Sequence, residues 1–456
     1  MAKIPTNGIP PLAGLATYEE AARPGIGVDD NVDLLRRYNF VETRLYNLSA
    51  ALMNPTPEWE VKCALSLHLY LDGEHSQALR QRVAELRRPP LYLDKSPDEA
   101  LEAFLDEALR SESTVEALTA IFRVIRPALL AAYRVHLAAI NPVFDFPTVR
   151  LLKIAIADEE QMIVWGNAAL AIVGKAEAWE AHLTAYLEAA GGIDGKGART
   201  QELPPKRATK PFVADVDPKR DARSGDIYNF NYRANDVYQD DKADMDERVL
   251  ALMYKRFHEM DVPEMMSSIL LQTPGKPWEY YRDMGRQLWD EARHSMMGEV
   301  WFAKGGVDWS RYPNHVGWSM HLNLDRTPLE RHIILYFIEQ NLMDGKTGKR
   351  LEWQIAQSAN DELATYFQDY DWADEVLHAQ IGRRWLKPDV GDVKTMLERG
   401  REIAGRGSAT FDARQASTPQ VDWWPQIVRD VLGKESSSQV AGDNAVVPKF
   451  ESLASG

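Results

Sequence analysis

LWDEARHSMMGEVWFAKGG (288–306) and YDWADEVLHAQIGRRWL (370–386) are the stretches on which the fold turns. Each contains the pattern Asp-Glu-x-x-His, once as Asp290-Glu291-Ala292-Arg293-His294 and once as Asp374-Glu375-Val376-Leu377-His378. Both sit in long segments whose apolar residues recur at i, i+3, i+4 and i+7, the period of an amphipathic helix. A Glu and a His three residues apart lie on one helix face, so each pair can reach a metal ion from inside a bundle. Spacing alone is weak: ten His and 68 acids in 456 residues make about 1.5 acid-x-x-His matches by chance, and the sequence has three, counting Asp72-x-x-His75. The shared Asp before each Glu, and a further Glu upstream of each motif, raise the pair above that background.

Those upstream residues are Glu264, in HEMDVPEMMSSILL (258–271), and Glu339, in IILYFIEQNLMDG (333–345). Glu339 lies among Ile333, Ile334, Phe337, Ile338 and Leu342, where an unpaired carboxylate carries a large desolvation cost unless it meets a cation. Glu264 is preferred to Glu259, the acid a little more than one turn before it. The order is Glu264, Glu291-x-x-His294, a long crossover, Glu339, then Glu375-x-x-His378. One Glu from each of two helices and a Glu-x-x-His from each of two others form the ligand set of a two-metal carboxylate site in a four-helix bundle. Four carboxylates balance two divalent ions, which allows burial. Asp290 and Asp374 read either as surface acids or as groups that accept a bond from a ligand imidazole across the bundle. His332 and Tyr336 share a face with Glu339 and read as core packing, with a place beside the metal as the alternative.

Elsewhere the chain shows almost no period-2 alternation, so the expectation is all-α. With 45% hydrophobic and 27% charged residues it has the composition of an ordinary globular protein, large enough for several domains. No apolar run reaches the roughly 18 residues of a membrane span. A net charge of −15 disfavours nucleic acid and anionic lipid as partners. Cys63 is the single cysteine, which excludes an intramolecular disulfide, a Cys-based zinc site and an iron–sulfur cluster, and suggests a reducing cytoplasm. The N-terminus lacks a secretory apolar core, so export is not expected.

Turn signals divide the chain into an extended arm (1–30), a helical bundle (31–190), a linker rich in Gly, Pro and charge (191–240), a second bundle (241–405) and a loosely ordered tail (406–456). Pro55, Pro57, Pro89-Pro90, Pro142 and Pro147 punctuate the first bundle. In the second, helices are expected at 244–272, 277–304, 327–343, 350–386 and 390–404, with an irregular connection around 305–326. Trp423-Trp424 in the tail read as a hydrophobic anchor.

The first bundle echoes the second. Glu42 precedes Asp72-Gly73-Glu74-His75-Ser76, which resembles Glu291-Ala292-Arg293-His294-Ser295 down to the trailing Ser, and a divergent tandem duplication follows. Its later elements have decayed. IRPALLAAYRVHLAAI (125–140) offers no carboxylate, and Met162 stands where a His is wanted after Glu159. His68, Asp72 and His75 fall at i, i+4 and i+7 on one face, yet Glu42, Asp72, His75 and Glu159 or Glu160 are too few for two ions. The expectation is a degenerate site without metal.

The segments around Glu264, Glu291-x-x-His294, Glu339 and Glu375-x-x-His378 resemble the ferritin-like di-iron carboxylate superfamily over about 245–390. Within it they are most similar to an uncharacterised bacterial ferritin-like family whose helices read DEARH and DEvgH-x-x-x-G-x-x-W. The sequence departs from that family at Leu377, Ala379 and Gln340-Asn341. The resemblance implies a ferritin-like four-helix bundle, here in two tandem copies, with Glu264, Glu291, His294, Glu339, Glu375 and His378 as ligands. It implies two iron ions, manganese being admissible at one or both positions, with O2 as co-substrate. The activity implied is that of a non-haem di-iron oxygenase that hydroxylates, desaturates or N-oxygenates a small organic substrate. One cysteine and the lack of a dinucleotide fingerprint leave electrons to an external donor or the substrate. A homodimer is admissible. The alternatives are a ferroxidase, metal-handling or peroxide-removing protein, and a scaffold with a purely structural metal.

Overall fold

The computed structural model describes residues 7–87, 93–200, 202–231 and 233–440. Among them every regular element is a helix, and no helix is long and apolar enough to cross a membrane. The chain forms two compact units. The first takes residues up to Ser49 and from Leu71 to Val213; the second takes Ala50–Tyr70 and the chain from Ala214 onward. The division thus crosses two helices and falls inside the expected linker.

Helices α1 (Val28–Met53), α2 (Trp59–Glu85), α3 (Glu99–Ala108), α4 (Thr114–Thr119), α5 (Arg126–Ala139), α6 (Phe146–Val173) and α7 (Glu177–Ala189) lead through the first half of the chain. Pro89-Pro90 fall outside the described residues. The expected arm holds a helical turn at Tyr18–Ala21 with a Thr17–Glu20 capping box. Between α4 and α5 the backbone widens into a π-helical stretch, Ala120–Ile125, after which α5 starts at Arg126 with Pro127 in its first turn. That stretch lies tight against α6: a Cβ on Gly166 would meet Phe122 at 2.0 Å. Asp145 caps α6 by accepting from the Thr148 amide, with Pro147 in its first turn.

The second unit is built from α8 (Met245–Phe257), α9 (Asp261–Gln272), α10 (Trp278–Lys304), α11 (Gly317–Asp325), α12 (Pro328–Asn341), α13 (Lys349–Ser358), α14 (Glu362–Val390), α15 (Val393–Ala404), α16 (Ala409–Ala416) and α17 (Trp424–Leu432). Three differences from the expected elements matter. The segment 244–272 is interrupted by a 3₁₀ turn, His258–Met260. The segment 350–386 is split where Asn360 turns left-handed and Asp361 caps α14. The connection 305–326 contains α11.

Two glycines set the packing that matters. A Cβ on Gly298 would lie 2.5 Å from the Phe257 amide nitrogen, so α10 can press onto the end of α8 only with glycine there. Gly382 does the same for α14 against the Tyr336 ring of α12. The tail departs from expectation through residue 440: α17 buries Trp424, Ile427 and Val428 in a core with Tyr254, Phe257 and Phe302. Its amphipathic period was hidden by the polar residues on either side; residues 441–456 lie outside the described residues.

Candidate metal centre

α10 supplies Glu291 and His294, α12 supplies Glu339, and α14 supplies Asp371, Glu375 and His378 on one face at i, i+4 and i+7. The 3₁₀ turn adds Glu259. All are buried except Glu259, which is partly so. They fall into two lobes, each with its donor atoms within 4.8 Å of one another: Glu291, Glu339, Glu375 and His378, and Glu259, His294 and Asp371.

Glu291 joins the lobes. Its Oε1 is 3.1 Å from His378 Nδ1 and its Oε2 is 3.6 Å from His294 Nδ1. Around His294 Nδ1, oxygens of Asp371, Glu259 and Glu291 stand at 3.3, 3.6 and 3.6 Å, and it hydrogen-bonds to none of them. Glu291 Oε1 is likewise buried without a hydrogen bond. His378 Nδ1 bonds Glu375 Oε2 at 3.3 Å, so the donors left unbonded include His294 Nδ1 and Glu291 Oε1. Imidazole and carboxylate donors that converge in a buried space suit a transition metal, and manganese or iron accepts both ligand types.

The opposite ring nitrogens are held by the Asp of the other motif. Asp290 Oδ2 lies 3.4 Å from His378 Nε2, and Asp374 Oδ2 lies 3.3 Å from His294 Nε2. Arg293 donates to both acids, and Arg286 donates to Asp290. With Nε2 engaged on a carboxylate, Nδ1 of each ring is turned into the cluster. Gln287 donates to Glu339 at 3.0 Å.

Charge is crowded here. Burial opposes ionisation of His294, but Asp371, Asp374 and Glu291 push it up to about 10. His378 is held well above its usual value against burial by Asp290, Glu291 and Glu375. Burial and the charges of Glu375 and Glu291 raise Glu339 far above the carboxylate range. Burial likewise pushes Glu259 up to about 7 against the pull of Arg256. Two cations border the cluster: Lys349 bonds both oxygens of Asp371 and Oε1 of Glu375, and Arg256 bonds Asp371, Glu259 and Glu352.

Glu264, expected as a ligand, is not among the groups that converge here. It is buried between Lys62 and Arg220 and accepts from the Ser319 hydroxyl at 2.8 Å. Five residues separate it from Glu259, about 140° around a helix, so the two acids cannot face the same centre. His332 packs against the Tyr280 ring, and burial lowers it to about 4. Tyr336 packs on Gly382 and donates to Gln340. His332 is not among the converging His and acid groups.

The echo in the first unit is a second cluster: Glu42 from α1, Asp72 and His75 from α2, and Glu159 from α6. Its middle is taken by a side chain the sequence reading passed over. Arg126, fully buried at the start of α5, bonds Asp72 at 2.9 Å and Glu159 at 2.7 Å. His75 lies between Glu42 and Asp158, each 3.1 Å away, and Tyr133 donates to Glu42 at 2.6 Å. His68 is buried but is not a member, Met162 is buried, and Glu160 pairs with Arg134 at the surface.

No known protein family, curated protein or solved structure matches the chain.

Proposed function

We propose that the second unit is a ferritin-like bundle around a non-haem metal centre, and that the protein is an O2-using oxidoreductase acting on a small organic substrate. The observation that carries this reading is Glu291, one buried carboxylate facing two imidazole Nδ1 atoms from two helices. Glu291, Glu339, Glu375 and His378 would hold one ion, and Glu291, Glu259, His294 and Asp371 a second. When bound, iron or manganese supplies the capacity to reduce O2 and to oxidise a C–H or N–H bond. The chain's own residues do the rest. Burial of six of the seven donors, all but Glu259, keeps bulk water away. Asp290 and Asp374 fix the ring tautomers. Burial pushes Glu259 up to about 7, which makes it a carboxyl able to hold or yield a proton near neutral pH, and raises Glu339 well above the carboxylate range. Cys63 is buried and alone in the chain, so electrons enter from an external donor or the substrate.

The test is metal analysis of the purified chain, followed by anaerobic Fe(II) loading and an O2-electrode trace. Metal-dependent O2 uptake, abolished by Glu291→Ala, is expected. A chain that binds no transition metal, or binds it without consuming O2, overturns the reading. Uptake that ends once the added Fe(II) is oxidised supports metal handling instead.

A further inference from the structure

The two lobes share Glu291 but not its freedom, and the difference lies in one lysine. Lys349 opens α13 and is fully buried. The loop before it folds so closely that a Cβ on Gly348 would meet the Leu342 carbonyl oxygen at 2.0 Å. Its ammonium lies 2.8 and 2.9 Å from the two oxygens of Asp371 and 2.8 Å from Glu375 Oε1. Arg256 adds a bond to Asp371 at 2.6 Å. Both Asp371 oxygens are therefore engaged, and Glu375 has only Oε2 to offer, 3.3 Å from His378 Nδ1. Among the described residues only Glu291 faces both imidazoles.

Charge points the same way. The Asp290, Asp374, Arg286 and Arg293 quartet balances itself. In the fully deprotonated state that bound metal requires, with both imidazoles neutral, Glu259, Glu291, Glu339, Asp371, Glu375 and Glu352 give six negative charges against three from Arg256, Lys255 and Lys349, leaving three. One divalent ion leaves a single negative charge, and two overshoot to a positive one. Without Lys349 the excess would be four, which two divalent ions match. The first unit shows the same device, with Arg126 spanning two acids from different helices.

We infer that Lys349 stands in for part of the charge of a second ion. The lobe of Glu291, Glu339, Glu375 and His378 takes one divalent ion tightly, and the lobe of Glu259, His294 and Asp371 takes another only when the Lys349 ammonium is drawn off Asp371. This rests on the reading of the cluster as a metal centre and adds to it that the two positions are unequal.

The experiment is an anaerobic Mn(II) titration of the full chain, with free Mn(II) read by electron paramagnetic resonance and heat by calorimetry. One tight equivalent is expected, with a second at least about 100-fold weaker, since a unit charge repels a divalent ion by several kcal/mol at such range. In Lys349→Met the second equivalent should tighten to within about tenfold of the first, while Lys349→Arg, which keeps the charge, should not change the count. Two equal equivalents in the unmodified chain, or a single one in a folded Lys349→Met, overturn the role of Lys349 and leave the metal centre standing. No Mn(II) bound at all overturns the centre itself. Circular dichroism shows whether each variant folds, and if Lys349→Met does not, the stepwise titration of the unmodified chain decides alone.

Discussion

The first unit closes Glu42, Asp72, His75 and Glu159 around a guanidinium, whereas the second turns Glu291, Glu339, Glu375 and His378 toward one another and keeps its cations at the border. The same residue types on the same kinds of helix face yield two different objects. Buried carboxylates must be neutralised, and the choice of neutraliser decides whether a cluster is a packed ion-pair network or a place for a metal. Arg126 fills that role from within the chain. Lys349 fills it in part, so the second cluster, with its acids and imidazoles deprotonated, remains short of positive charge.

The comparison breaks most easily at the carboxylate that spans the lobes. Glu291→Ala is expected to reduce bound metal to a small residue of its normal content by elemental analysis, while Asp72→Asn with His75→Gln leaves the content unchanged. A fall in the second variant would make the first unit a metal site after all.

Next in size is Arg126→Met, which strands Asp72 and Glu159 in the first unit. Loss of one partner from a buried network costs about 3–5 kcal/mol, and urea denaturation should show a destabilisation of that order. A loss under about 1 kcal/mol would mean that Arg126 is not the charge that holds the acids together. Partial rescue of this variant by Mn(II), absent in the parent, would sharpen the parallel by turning the first cluster into the second.

Asp374→Asn should keep metal bound but weaken it by about 10 to 100-fold, because the amide no longer polarises the His294 ring. The matching change in the first unit, Asp158→Asn beside His75, should leave metal affinity alone. Equal affinity in both would return Asp374 to an ordinary acid.

The smallest effect is in pH. The folded pKa of His294, about 10 in the metal-free chain, lies above the unfolded value of roughly 6.5. Its contribution to metal-free stability is complete below the unfolded value and is lost as pH rises through the folded one. The melting temperature of chelator-treated protein should therefore fall between pH 7 and 9. Over the same interval Mn(II) should bind more tightly, because it displaces protons from His294 and His378. An affinity independent of pH would show that those rings hold no proton to displace.

Much of this was legible in one dimension. Helix periods, the Thr327–Glu330 capping box before α12 and the paired Glu-x-x-His motifs are local features, readable within a few turns of chain. Asp371 was legible too, since it repeats before Glu375 and His378 the i, i+4, i+7 spacing already noticed in His68, Asp72 and His75. Glu259 and Glu264 could not be separated that way, because the 3₁₀ turn that aims one of them inward has no marker in HEMDVPEMM. Lys349 sits in MDGKTGKRLEW, a polar stretch that reads as surface, and Arg126 in an apolar one where it reads as an exception.

The sequence by itself determined an all-helical chain and the positions of Glu291, His294, Glu339, Glu375 and His378 on helix faces, because those properties depend on neighbours three and four residues away. Only the tertiary structure decided which acid joins them and which cations answer them. Arg256 meets Asp371 across 115 residues and Lys62 meets Glu264 across 202, and no local pattern encodes which distant charge burial will force upon a carboxylate.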